Sequence, residues 1–130
     1  MANLMFQKRF IDPLIAGTKR QTIRPRRKRP FAVGARLSLR HWSDKAYRSP
    51  QVEIMAAECT ACFDILVCRE GVRVGIGPVE TRKQQLDDFA KADGFSCWLE
   101  MRDFFESRFG YGLPFEGTLI QFAKVRASAP

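Results

Sequence analysis

The chain has 130 residues, 45% of them hydrophobic and 28% charged, with a formal net charge of +8. That size and mix fit one globular domain spanning 1–130. No run of 18 apolar residues occurs, which excludes a membrane-spanning helix, and the first residues lack the apolar stretch of a secretory signal, so a cytoplasmic protein is expected.

The charge is unevenly placed. Residues 1–50 hold 13 Lys and Arg against 2 Asp and Glu, whereas residues 51–130 hold 9 against 12. A localised positive face favours a polyanionic partner, because phosphates neutralised by Lys and Arg release condensed counterions. RNA or a modified nucleoside is the expected partner, and a plain solvated basic surface is the alternative.

In chain order, Leu4–Phe6 predicts a short strand. Asp12-Pro13 predicts a helix start, with Asp12 as N-cap and Pro13 at the first helical position. The helix covers Pro13–Ala16, and Gly17 stands where a left-handed C-cap belongs. Thr22-Ile23-Arg24 is expected to be extended, since Pro25 disfavours helix before it. Arg26-Arg27-Lys28-Arg29, between two prolines, reads as an exposed basic loop. Arg36–Arg40 alternates polar and apolar residues as a half-buried strand does. Trp42 and Tyr47 lie beside the basic segment and can stack on a base, although Trp42 better suits edge or core packing.

Residues 51–68 predict one long strand or two shorter ones, and Val72–Ile76 another, with glycines around it as turns. Residues 82–92 carry Leu86, Phe89 and Ala90 on one helical face, and Asp93-Gly94 ends that helix. Ser96 is expected to cap the next helix, whose stripe of Trp98, Met101, Phe105 and Phe109 calls for burial and which Gly110 closes. Glu116–Val125 is a last strand. The pattern is α+β, with several short strands in a barrel-like sheet and two or three short helices.

Cys59 and Cys62 form a C-x-x-C pair, but Cys68 and Cys97 make no second close pair and His41 is the sole histidine. Residues three apart on a regular strand point to opposite faces. Buried structural thiols are therefore expected, with no metal and no cofactor.

Gly17–Arg24 concentrates the chemistry. A helix ends at glycine, and Lys19, Arg20, Thr22 and Arg24 follow within a few residues. Lysine and arginine suit a phosphate or a polar base edge. Thr22 can act as a nucleophile if a neighbouring base takes its proton, and Lys19 is such a base when neutral. The same residues also suit a basic strand edge, with threonine present for its β propensity.

The spacing Gly17-x-Lys19-x-x-Thr22-x-Arg24, preceded by Phe6-Gln7-Lys8-Arg9-Phe10 and followed by Phe31-x-x-Gly34-x-x-Leu37, resembles the ASCH domains. The likeness continues through Asp93-Gly94-Phe95-Ser96 and Phe104-Phe105, and so covers nearly the whole chain. It implies a PUA-like small β-barrel that binds or acts on RNA. Many ASCH domains carry Glu where this chain has Thr22. Threonine there is similar to the small bacterial members that hydrolyse N-acetylated cytidine. In those, the resemblance implies a catalytic trio of Lys19, Thr22 and a carboxylate that falls at Asp93, where they have the longer Glu. Residues 69–82 have no obvious counterpart in the smaller members, and the sequence leaves open whether they cover or reshape the cleft.

Three functions remain open at this point. One is an RNA- or modified-nucleoside-binding module with Arg20, Arg24, Arg26, Arg27, Lys28, Arg29, Trp42 and Tyr47 in its surface. The second is an amidohydrolase using Lys19, Thr22 and Asp93. The third is a metal-independent ribonuclease with Lys19 as base and Arg24 as phosphate stabiliser, since a lone histidine excludes a two-histidine mechanism.

Overall fold

The computed structural model describes residues 1–108 and 112–125. Six strands and three helices follow the chain as β1 (Ala2–Met5), α1 (Ile11–Ala16), β2 (Gln21–Arg24), β3 (Arg36–Trp42), β4 (Gln51–Val67), β5 (Val72–Val74), α2 (Lys83–Ala92), α3 (Trp98–Arg108) and β6 (Phe115–Lys124). The α+β expectation holds. Phe109 and Gly110 lie outside the described residues.

The strands form one open sheet in the order β1-β3-β4-β6-β2, with β5 added on β4. Only the β1–β3 pair is parallel. The edges β1 and β2 are linked by a side chain: the Arg24 guanidinium donates to Met5 O at 2.8 Å. Leu37, Leu39, Ala57, Val67, Leu119 and Ile120 of the sheet are buried in the same core as Leu14, Leu86, Ala90, Met101 and Phe105 of the helices. Trp98, Met101 and Phe105 of the α3 stripe are thus core, as their spacing requires. Among the described residues no helix is long and apolar enough to cross a membrane.

Three local expectations are corrected. First, α1 begins two residues early, at Ile11, because a 3-10 turn over Lys8–Phe10 runs directly into it. Asp12 therefore lies inside the first turn, and the N-cap residue, Phe10, makes no side-chain capping bond.

Second, the first amide of α3, Trp98 N–H, donates to Asp87 Oδ1 of α2 at 2.9 Å. The hydroxyl of Ser96 donates instead to the Glu100 carboxylate. A neighbouring helix caps α3 more firmly than its own preceding serine.

Third, the register of β4 against β6 shifts between Cys59 and Ala61. Thr60 is the extra residue of a bulge, and the two-residue alternation breaks there. Cys59 opposes Phe122 and Cys62 opposes Ile120. Those partners are two apart on β6, so the two thiols share a face rather than taking opposite ones. Cys59 is buried, and burial pushes its thiol pKa up; Cys62, Cys68 and Cys97 are only half-buried.

Residues 69–82, whose role the sequence leaves open, form β5 and a turn tied down by Val72 and Glu80, which exchange two main-chain hydrogen bonds. None of them lines the cavity described below.

Candidate functional site

The loop after α1 is fixed at each step. Gly17 takes the left-handed conformation at φ 81°, which ends the helix, and its N–H donates to Leu14 O. Lys19 N–H then donates to Pro13 O, Arg20 N–H to Ala92 O, and Arg20 O accepts from Phe122 N–H. The segment is clamped between the end of α2 and β6. From there β2 pairs antiparallel with β6, placing Thr22 opposite Ile120.

The other half of the site comes from the end of α2. Gly94 N–H donates to Lys91 O and Phe95 N–H to Ala90 O, the two bonds of a Schellman C-cap. Gly94 sits at φ 97°, and a Cβ there would lie 2.8 Å from the Lys19 side chain and 2.9 Å from the Phe10 ring. Glycine is needed both for the turn and for the close approach of Lys19.

Lys19 is 3% exposed and Asp93 2%. The Lys19 ammonium donates to two main-chain carbonyls, Gln21 O at 2.9 Å and Asp93 O. Its Nζ lies 4.0 Å from Asp93 Oδ1 and 4.5 Å from the centre of the Phe10 ring. Burial lowers the Lys19 pKa to about 8, against the attraction of Asp93, with Arg24 and Arg9 adding to the fall. Burial raises Asp93 to about 6, opposed by Lys19, Gln21 and Arg24. The Gln21 amide is near enough to favour the Asp93 carboxylate, yet neither Gln21 Nε2 nor Asp93 Oδ1 completes a hydrogen bond.

Thr22 is buried, and its Oγ1 accepts from Arg24 Nε at 3.0 Å. Arg24 also lies 4.7 Å from the centre of the Phe6 ring. Burial lowers its pKa to about 10, with Asp93 opposing and Arg108 adding to the fall. A hydroxyl that accepts from a guanidinium is already polarised towards alkoxide.

Lys19, Thr22, Arg24 and Asp93 line one cavity of about 170 Å³, together with Phe6, Phe10, Phe95, Phe104 and Arg108. Phe10, Phe95 and Phe104 pack edge-on or tilted, with ring centres 5.1–6.0 Å apart. A dry cavity of ~150 Å³ accepts benzene, so this one has room for a single planar ring and small substituents.

Lys19, Thr22, Arg24 and Asp93 are thus brought together, but Lys19 and Thr22 sit at the buried floor rather than on an open basic groove. Arg20 is exposed and does not line the cavity, and neither do Arg26, Arg27, Lys28 and Arg29. Arg26 lies 3.9 Å from Asp64, and Arg27 stacks 3.9 Å from the centre of the Phe31 ring. Trp42 and Tyr47 meet each other, ring centres 5.1 Å apart, in and beyond the end of β3, also away from the cavity.

Sequence reasoning missed the aromatic wall as a wall, Gln21 beside Asp93, and Arg108. The available signal was the pair Phe6 and Phe10 flanking a basic stretch, with Phe95 directly after the helix-ending Asp93-Gly94. Among the described residues no group of three or more His, Cys, Asp and Glu is arranged to hold a metal ion. No family model, curated protein or solved structure matches the chain.

Proposed function

We propose that the cavity receives one modified nucleobase and that the chain hydrolyses the acetyl amide of N-acetylated cytidine, as a member of the ASCH group with its PUA-like barrel. The observation that carries the reading is the burial of Lys19, Thr22 and Asp93 around one aromatic-walled cavity, with the lysine and aspartate pKa values moved towards each other. The bridge from Arg24 to Met5 between the two sheet edges supports the barrel reading.

The chemistry follows from the positions. With two N–H groups committed to Gln21 O and Asp93 O, the third position on Lys19 Nζ is an N–H when charged and a free electron pair when neutral. Moving one proton from Lys19 to Asp93 yields a neutral base and a neutral acid. Burial moves the two proton affinities towards each other, which eases that transfer.

Thr22 Oγ1 then attacks the acetyl carbonyl carbon, and its proton passes to Lys19. The C–N bond breaks as Asp93 gives its proton to the amine, which leaves as cytidine, and an acetyl ester remains on Thr22. Water attacks that ester and gives a proton to Asp93. Lys19 returns its proton to Thr22, and acetic acid leaves. Arg24 offsets the negative charge that builds on Thr22 Oγ1 at the start.

A ribonuclease reading fits less well, because the basic run at 26–29 lies outside the cavity. The test is turnover and affinity measured side by side. Thr22→Ala is expected to abolish acetate release while keeping most nucleoside binding. Binding of the acetylated nucleoside with no turnover by the unmodified protein would leave a binding module in place of an enzyme.

A further inference from the structure

The cavity carries more positive charge than the hydrolysis of a neutral nucleoside needs. Lys19, Arg24 and Arg108 line it, against Asp93 as the one carboxylate among its lining residues. Arg24 uses one N–H on Thr22 and one on Met5 O, leaving three of a guanidinium's five free of those bonds. Arg108, on the last turn of α3, lies 5.7 Å from the centre of the Phe104 ring and has no carboxylate partner among the described residues. Arg9 touches the same ring but is engaged by Glu100. The Arg108 charge also reaches Arg24, whose protonation it opposes.

Two guanidiniums on one cavity, each without a carboxylate in contact, repel each other until an anion sits between them. The cavity volume, about 170 Å³, takes a ring and its acetyl group but not a ribose and phosphate as well. Those must lie at the mouth, where Arg108 is exposed.

We propose that Arg108, with the free face of Arg24, holds a phosphate attached to the nucleoside, so that the substrate is a nucleotide, free or within RNA, in preference to a bare nucleoside. The inference rests on the reading of the cavity as a nucleoside site. It names the substrate class and a recognition residue that sits outside the Gly17–Arg24 motif.

The experiment compares kcat/KM on N-acetylated cytidine, its 5′- and 3′-monophosphates, and a short RNA containing it. A phosphate is expected to raise kcat/KM by about tenfold or more at low salt, chiefly through KM. That ratio is expected to fall to near one in Arg108→Ala, to persist in part in Arg108→Lys, and to drop below one in Arg108→Glu. A gain confined to the RNA would identify the phosphodiester as the source, and a gain with either monophosphate would identify the free nucleotide. Equal kcat/KM with and without phosphate, or an advantage that survives Arg108→Ala, would overturn the proposal. Calorimetric affinities for cytidine and for cytidine monophosphate, on wild type and Arg108→Ala, decide it even if no substrate is turned over. In that case the hydrolase reading fails separately.

Discussion

Lys19 Nζ stands 4.0 Å from Asp93 Oδ1 and donates to the main-chain carbonyl of the same residue, so one amino acid at the end of α2 both anchors the lysine and faces it with a carboxylate. The carbonyl at a helix C-terminus already favours a cation. Both side chains are buried nonetheless, and burial sets the direction of both pKa changes.

The first prediction is a pH profile of stability. Asp93 is raised from 3.8 to about 6 in the folded state, so the fold binds more protons than the unfolded chain in that window, and stability falls as pH rises through it. Lys19 is lowered from 10.5 to about 8, so the unfolded chain binds more protons between those values, and stability rises with pH there. The pair therefore contributes least between about pH 6 and 8. Denaturant midpoints of wild type minus Asp93→Asn should show the falling limb between pH 4 and 6. A flat difference across that range would show that Asp93 titrates as an ordinary carboxylate.

The second concerns rate. The reactive form has one proton shared by Lys19 and Asp93, so kcat/KM should form a bell with limbs near 6 and 8, belonging to the pair rather than to either residue. Asp93→Asn should abolish turnover and remove the acid limb from any residual rate. Asp93→Glu restores the length found in the resembling hydrolases, but it inserts a methylene into a buried site. A stability loss of about 1–3 kcal/mol is expected, measured by chemical denaturation alongside the rate.

Gly94→Ala is the third. Its Cβ would press on the Lys19 stem and the Phe10 ring at a backbone φ that alanine rarely adopts. A stability loss of roughly 1–3 kcal/mol is expected, together with a fall in nucleoside affinity. Unchanged stability and affinity would mean that the Lys19 stem moves aside at no cost.

The fourth separates the exposed basic loop from the cavity. If single-stranded RNA crosses Arg26, Arg27, Lys28 and Arg29 and meets about four to six phosphates, log affinity should fall with log salt at a slope of roughly −3 to −4. Replacing all four with Gln should flatten the slope. An unchanged slope would assign RNA contact to another face.

Much of the site was legible because its key residues are local. The spacing from Gly17 to Arg24 and the helix end at Asp93-Gly94 both have short-range causes, a left-handed glycine and a residue before proline. The strand β3 was legible from the alternation of Arg36–Arg40. What was not legible depends on long-range register or on packing between distant segments. The Thr60 bulge arises only against β6, and it alone brings Cys59 and Cys62 to one face. The aromatic wall joins Phe6 and Phe10 to Phe95 and Phe104, from opposite parts of the sequence. Charge density pointed to Arg26–Arg29, whereas the cation that reaches the cavity from outside the motif is Arg108 at the far end of α3.

The most direct test of the central claim is acetate release from N-acetylated cytidine at pH 7, for wild type, Lys19→Ala and Thr22→Ala at matched concentration. The three groups act as one unit, so either substitution should lower kcat by at least about a hundredfold while nucleoside affinity changes far less. Turnover by Thr22→Ala or Lys19→Ala at the wild-type rate would contradict the account, as would a wild type that binds the nucleoside and releases no acetate.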